Sequence, residues 1–235
     1  MQNDIFGKAI TAYFETKKEQ IITVQNEDFD DDEILVSYLF RDYQQMPEIE
    51  KKALQLSKGK VLDVGSGAGS HSLYLQNKNK LEVTAIDTSV GAIEICEKRG
   101  VLNAIAEDFY AHKGNYDTIL LLMNGSGIIG KLNNFNSFFD QLKRLLAPNG
   151  NVFIDSSDLI FLFENENGEF WVDAAKGYYG ELKYKISYLK NFSETFDWLY
   201  VDFNTLKRAC QVNGFNCELI MEGTHYDFLA RLTLS

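Results

Sequence analysis

The sequence predicts a doubly wound α/β fold around a mostly parallel sheet. Three observations carry that prediction. Between residues 60 and 155, short apolar runs alternate with helical stretches. Such alternation implies parallel strands joined by right-handed crossovers, with helices on both faces. Runs such as residues 118–123 are nearly continuously apolar, as strands buried on both faces are. The third observation is residues 60–69, Lys-Val-Leu-Asp-Val-Gly-Ser-Gly-Ala-Gly, where a strand runs straight into a glycine-rich turn and a helix follows.

Residues 1–57 precede that turn and read as a helical cap. Ile5, Phe6, Ala9, Ile10, Tyr13 and Phe14 repeat at helical spacing, with Asn3 or Asp4 as the cap. The acidic run Asp28, Asp30, Asp31, Asp32, Glu33 reads as a solvated loop, and it lacks the spacing of a calcium loop. An apolar stretch, 34–40, leads into Arg41 and Asp42. Pro47 opens a helix to residue 56, and Gly59 ends it.

From residue 58 the main domain begins. Strands are expected at 61–64, 81–86, 101–106, 116–123 and 151–155, with helices at 70–77, 89–98 and 135–146. Gly100 stops the second of these helices, and Pro148, Asn149 and Gly150 the third. After Asp155 the rhythm changes. Segments 170–172, 178–188 and 195–202 are β-rich; Leu182, Tyr184, Ile186 and Tyr188 alternate with Lys183, Lys185 and Ser187. An inserted β-hairpin is expected at about 168–202, with its turn at Asn191 and Ser193. A helix capped by Asn204 or Thr205 and a closing hairpin, 216–221 with 226–234, complete the chain.

The chain has 235 residues, a net charge of −11 and three cysteines, Cys96, Cys210 and Cys217, with no C-x-x-C pair. The charge disfavours a nucleic-acid backbone, which needs Lys and Arg contacts. Free thiols without a signal sequence lead to the expectation of a reducing cytoplasm. No apolar run has the length of a membrane span. His71, His112 and His225 are too scattered for a metal-binding histidine pair, so no metal is expected.

The glycine turn carries the chemistry. Glycine tolerates positive φ and lets a ligand approach the backbone, and the following helix N-terminus favours an anionic group. The dinucleotide fingerprint would want glycine at position 70, where Ser70 stands. The pattern Asp63-x-Gly65-x-Gly67-x-Gly69 resembles motif I of the class I S-adenosylmethionine-dependent methyltransferases, and the resemblance extends with gaps from about residue 58 to the C-terminus. It implies a seven-stranded sheet with an antiparallel last strand, S-adenosyl-L-methionine as cofactor and S-adenosyl-L-homocysteine as product. The loop Gly65, Ser66, Gly67, Gly69 would hold the cofactor, with Asp63 under its methionyl ammonium. Asp108 would accept from the adenine amino group, and the Phe109 N–H would donate to the ring, with the Phe109 ring near the base. Asn124 falls at the fourth motif and would touch the cofactor through its carbonyl. That motif reads Asn124-Gly125-Ser126-Gly127 here. It lacks the prolines and aromatic of the enzymes that methylate adenine or glutamine amino groups, which argues against those substrates.

Asp87, at the second strand's end, is placed to accept both ribose hydroxyls, with Thr88 beside it. Each of these assignments has a plainer alternative: a helix cap for Asp87, a loop acid for Asp108, a core ring for Phe109, a carboxylate satisfied by loop N–H groups for Asp63. Arg41 would grip the carboxylate of cofactor or substrate, or else form a surface ion pair with Asp42 or Glu48. His71, Asp155 and Tyr178 are candidates for a general base, and Tyr179 joins them as a pocket residue; no catalytic residue is assigned. Trp171, Tyr178, Tyr179, Tyr184, Tyr188 and Trp198 would line an acceptor pocket or form the core of the insert.

The expectation is therefore in-line methyl transfer to a small-molecule acceptor, with neither nucleic acid nor membrane as partner. Two alternatives are a non-catalytic S-adenosylmethionine-binding module and a nicotinamide-dependent oxidoreductase. An insert facing an open pocket beside Asn124 favours the enzyme; one packed shut favours the module.

Overall fold

The structure is a computed structural model that describes residues 4–173, 175 and 177–235. In chain order its elements are α1 (Ile5–Thr16), β1 (Ile21–Asn26), β2 (Asp32–Leu35), α2 (Glu48–Leu56), β3 (Lys60–Val64), α3 (Ser70–Asn77), β4 (Glu82–Asp87), α4 (Val90–Arg99), β5 (Ala104–Ala106) and β6 (Tyr116–Leu121). There follow α5 (Phe135–Leu145), β7 (Leu146–Ser157), β8 (Glu181–Tyr188), β9 (Asn191–Phe192), β10 (Phe196–Leu199), α6 (Phe203–Val212), β11 (Phe215–Glu222) and β12 (Asp227–Leu234).

Seven strands form the main sheet in the order β11-β12-β7-β6-β3-β4-β5. The five strands from β7 to β5 are parallel to their neighbours. The last strand, β12, runs antiparallel between β7 and β11. The order reverses between β3 and β6, and ligands in open α/β sheets bind outside such a switch point.

Alternation along the central strands builds a core on each face. Leu62, Val64, Ile119 and Leu121 meet Phe138, Phe139 and Leu142 of α5 and Leu206 of α6. Val61 and Leu120 turn the other way, onto Ile49, Ala53 and Leu54 of α2 and Leu75 of α3. Burial on both faces explains the near-continuous apolar runs of these strands.

The cap is not purely helical. β1 and β2 lie inside it, and β1 pairs antiparallel with β8 of the insert from Thr23↔Ser187 to Asn26↔Tyr184. Cap and insert thus share one five-stranded sheet, β10-β8-β1-β2 with β9 on β8. An isolated hairpin is marginal in water. Here β8 fills its second edge with β1, and Ile186 and Tyr188 bury against Ile22, Val36 and α1. Asp32 and Glu33 consequently lie in a strand rather than a loop.

Three smaller expectations also change. Residues 170–172 form no strand; a lone bridge joins Glu164 to Phe170, and Trp171 is 77% exposed. The strand expected at 101–106 shortens to Ala104–Ala106. Asp202, not Asn204 or Thr205, caps α6, accepting the Thr205 N–H at 2.9 Å. At the N-terminus Asp4 is the cap of α1, while Asn3 lies outside the described residues. Among the described residues, no helix is long and apolar enough to cross a membrane.

Asp4 also joins α1 to the main domain. It accepts from Gly7 N–H (2.8 Å), Ser89 Oγ (2.8 Å) and Gly91 N–H (2.9 Å). The helices cross at two glycines, and a Cβ on Gly91 would lie 2.7 Å from Gly7 Cα. Gly91→Val is therefore expected to lift α1 from α4. Hydrogen exchange should show protection lost over residues 5–16 and retained in β3 and β6.

Candidate functional site

The strand ends at the switch point converge on one region. The turn after β3 is fixed by Gly65 and Ser66, whose N–H groups both donate to Ile86 O (2.9 and 3.0 Å). Gly65, Gly67 and Gly69 have φ of 70°, 54° and 80°. Their reasons differ. A Cβ on Gly65 or Gly67 would meet nothing within 4 Å, whereas one on Gly69 would lie 2.9 Å from Cys96 Sγ and Val101 Cγ2. The third glycine is required for close packing, and the first two leave a cradle in which a ligand can reach the backbone.

Asp87 faces this cradle. Its Oδ2 accepts the Gly67 N–H and its Oδ1 the Ser89 N–H, each at 2.9 Å. Burial raises its pKa against those two bonds. Ser89 caps α4, accepting the Ala92 N–H at 3.0 Å, so Asp87 is not the helix cap. Thr88 is exposed in the bend between them, and Ser66 is buried with Oγ 3.8 Å from Cys96 Sγ. Asp108 is exposed and accepts the Tyr110 N–H at 2.8 Å. The Phe109 ring is 2% exposed and packs 5.9 Å from the Phe138 ring. It belongs to the core cluster that packs on α5.

Behind the cradle runs a buried chain of charges. Arg41 is 5% exposed and pairs with neither Asp42 nor Glu48. Its Nη2 donates to both oxygens of Glu50 at 2.5 Å, and its Nη1 to Tyr38 O at 2.7 Å. The guanidinium lies 4.0 Å from the Tyr38 ring centroid. Glu50 Oε2 also meets His71 Nε2 at 2.8 Å, and His71 Nδ1 is 3.9 Å from Asp63 Oδ1. Ser72 Oγ donates to Asp63 at 2.6 Å.

Burial opposes charge on Glu50, but the His71 and Arg41 contacts outweigh it and hold its pKa below the usual carboxylate value. Burial likewise opposes protonation of His71, yet Glu50 and Asp63 raise its pKa. For Asp63 burial prevails and the pKa rises.

The next strand ends carry the other half of the region. Met123 and Asn124 both have positive φ, 67° and 59°, an uncommon conformation for residues with a side chain. Asp155 at the end of β7 stabilises it, accepting the Met123 N–H at 3.0 Å and the Gly125 N–H at 2.8 Å. The insert packs directly on this loop. A Cβ on Gly127 would lie 2.0 Å from Trp198 Cε2. Ser126 Oγ donates to Leu199 O at 2.8 Å and lies 2.7 Å from Ser156 Oγ, which accepts the Val201 N–H at 2.8 Å. The cover is incomplete, since Met123 and Tyr38 remain 39% and 42% exposed. Two buried side-chain atoms have no hydrogen-bond partner among the described residues, Arg41 Nε and Asn124 Oδ1.

The remaining candidates divide. The Tyr178 hydroxyl donates to Asp202 Oδ2 (2.7 Å) and accepts the Asp202 N–H (2.8 Å). Tyr179 donates to Asp158 at 2.7 Å. Both hydroxyls are engaged in anchoring the insert. Tyr188 is core, donating to Gln20 at 2.6 Å. Tyr184 donates to the Tyr200 hydroxyl at 3.2 Å, with the two rings 6.3 Å apart at 89°.

Glu50, Tyr38 and Tyr200 are the residues that sequence reasoning did not single out as members of the site. Glu50 stands among charged neighbours on a short helix, and its one sequence signal is its place beside the core residues Ile49, Ala53 and Leu54.

A profile described as "Methyltransferase domain" matches residues 35–220. The chain belongs to that methyltransferase family. The structure of a SAM-dependent methyltransferase from Bacteroides fragilis, in complex with S-adenosyl-L-homocysteine, is 45% identical over 99% of this chain and 95% of its own, with a TM-score of 0.93. An S-adenosylmethionine-dependent methyltransferase from Clostridium acetobutylicum ATCC 824 superimposes with a TM-score of 0.60 over 83% of this chain and 93% of its own; at 14% identity it shows the shared fold alone. Ribosomal RNA small subunit methyltransferase C of Marinomonas sp. (strain MWYL1) is 26% identical over 114 residues, 45% of this chain. That match spans only 32% of the length of this curated relative.

Two outcomes test the site's electrostatics. Glu50→Ala leaves Arg41 buried without a carboxylate and should cost about 3–5 kcal/mol of stability, read as a lower urea midpoint; Glu48→Ala should cost little. Burial pushes Asp155 up to about 7. The folded protein therefore keeps a proton there that the unfolded chain releases near pH 4. This contribution to stability is present at acid pH and is lost as pH rises from about 4 to about 7. Asp155→Asn cannot titrate, so the wild type's stability relative to it should fall across that interval by up to roughly 4 kcal/mol, measured by urea unfolding at successive pH values.

Proposed function

We propose that this methyltransferase moves a methyl group from S-adenosyl-L-methionine to a small-molecule acceptor across the strand ends of β3, β4 and β6. The single observation that carries the reading is the cradle at Gly65 and Gly67, open at both Cβ positions and faced by Asp87. Those residues fit the cofactor, because the backbone can be approached there and a carboxylate waits for two hydroxyls. Gly65, Ser66 and Gly67 would lie along its methionyl part, and Asp63 would supply negative charge below it. Asp87 with Thr88 would hold the ribose. Asp108 and the Phe109 backbone would meet the adenine, and Asn124 the region of the methyl group. Arg41 Nε, buried and unpaired, suits a carboxylate oxygen.

When bound, the cofactor supplies a methyl group on sulfonium sulfur, displaced in line and leaving S-adenosyl-L-homocysteine. The protein's part is alignment and exclusion of water. α1 and the cap–insert sheet together act as the lid that excludes it. Asp155 is the one candidate base whose carboxylate stands at the acceptor end, since His71 is tied to Glu50 and Tyr178 to Asp202.

The net charge of −11 supports a small molecule over a nucleic-acid strand. The three free cysteines suit a reducing cytoplasm. The partial exposure of Met123 and Tyr38 favours an enzyme with an open acceptor cleft over a binding module.

Calorimetric titration with S-adenosyl-L-methionine and NADH tests the reading. Wild type should bind the first and not the second. Asp87→Ala, and Gly67→Ala, whose new methyl group enters the cradle, should each weaken binding at least tenfold, about 1.4 kcal/mol or more. Binding of NADH alone would overturn the proposal.

A further inference from the structure

A cleft of about 610 Å³ lies between the turn after β5 and the C-terminal half of α5. That volume is in the range of small-molecule pockets. The cleft shares no residue with the glycine cradle, and neither Asp108 nor Phe109 lines it.

Two cations line it, Lys113 and Arg144. Among the described residues neither meets a carboxylate. In a chain of net charge −11, two unanswered cations in one cleft reverse the sign locally. The acids nearest in sequence are engaged elsewhere. Glu107 Oε2 lies 2.5 Å from His112 Nδ1, and Asp108 accepts the Tyr110 N–H at 2.8 Å. Asp117 accepts the Lys60 N–H at 2.8 Å, and Asp140 lies 3.8 Å from Lys143 Nζ.

Arg144 is exposed but held in place. Its Nε and Nη2 donate to Gln141 Oε1 at 2.9 and 2.6 Å. Gln141 is 1% exposed, and its Nε2 donates to Phe109 O (2.6 Å) and His112 O (2.9 Å). One buried amide therefore fixes both the guanidinium and the turn opposite it. Arg144 Nη1 has no partner among the described residues, and neither do the Lys113 and Gly114 N–H groups. A guanidinium already ordered along one edge keeps its other donors for a ligand.

Two cations beside successive free N–H groups suit an oxyanion. A phosphate monoester carries close to two negative charges at neutral pH, one for each cation. A carboxylate would leave one of them unanswered. The rest of the cleft is walled by Tyr110, partly buried with its hydroxyl held on Ile128 O at 3.3 Å, and by the buried Leu145. Inorganic phosphate alone would leave that wall uncovered, whereas an organic group would cover it.

We infer that this cleft binds a phosphorylated small molecule. The phosphoryl group lies between Arg144 and Lys113 and accepts from the Lys113 and Gly114 N–H groups, and the organic part packs on Tyr110 and Leu145. The site is separate from the cofactor cradle and does not depend on the methyltransferase reading.

The test titrates phenyl phosphate into the full chain and follows the assigned backbone amide signals by NMR. Binding should saturate with a Kd of about 1 mM or tighter and move the Lys113 and Gly114 signals. Phenyl acetate, neutral and of similar size, should bind at least tenfold more weakly. Arg144→Gln and Lys113→Gln should each weaken phenyl phosphate about tenfold. Arg208→Gln removes an exposed cation of α6 instead and should leave binding unchanged. No saturable binding, shifts centred on Gly65 and Gly67, a neutral probe that binds as tightly, or equal weakening by Arg208→Gln would overturn the inference.

Discussion

The Glu50 carboxylate is the contact on which the arrangement of the site depends. It receives a guanidinium from the cap segment and an imidazole from α3, the helix that begins at the glycine turn. The imidazole in turn stands beside Asp63 on β3. Four separate segments are thus joined by charges out of contact with water. Such a group is stable only when every charge is answered, since removal of one partner leaves an ion that neither solvent nor a neighbour compensates. The position of Tyr38 follows from it, because Arg41 donates to the Tyr38 carbonyl and stacks on its ring.

Around that group the N-terminal segment is stitched to the glycine turn. Ser70 Oγ donates to Leu39 O at 2.9 Å, and Arg99 donates to Ala68 O and lies 4.9 Å from the Phe40 ring centroid. Asp4 does the same from the other side, at the first turn of α4. The cap therefore contacts the cradle at both edges, where it can exclude water from a bound ligand.

The insert completes the enclosure by a different device. It adds no independent core but extends the cap's own sheet through β1 and β8, and it lies on the loop after β6 because glycine stands at position 127. Strain at Met123 and Asn124 persists there because Asp155 holds two of the loop's N–H groups.

Local signals alone made the parallel sheet, its helices and the glycine cradle legible. Period, glycine spacing and the residues at strand ends are encoded within a few positions of each other, and Asp63, Gly65, Gly67 and Asp87 could be named from them. Gly69 was legible as part of the pattern but not in its reason, which is the approach of Cys96 and Val101. Phe109 was left between a core ring and a ring beside the base, and its burial against Phe138 was decided by the helix that lies beneath it. Only the tertiary structure decided that Arg41 pairs with Glu50 and that the cap and insert share a sheet. The shared sheet rests on contacts between segments far apart in the chain, and the ion pair on how the segment between Arg41 and Glu50 folds. A short amphipathic strand or a charged helix residue carries no mark of its partner until the chain has folded.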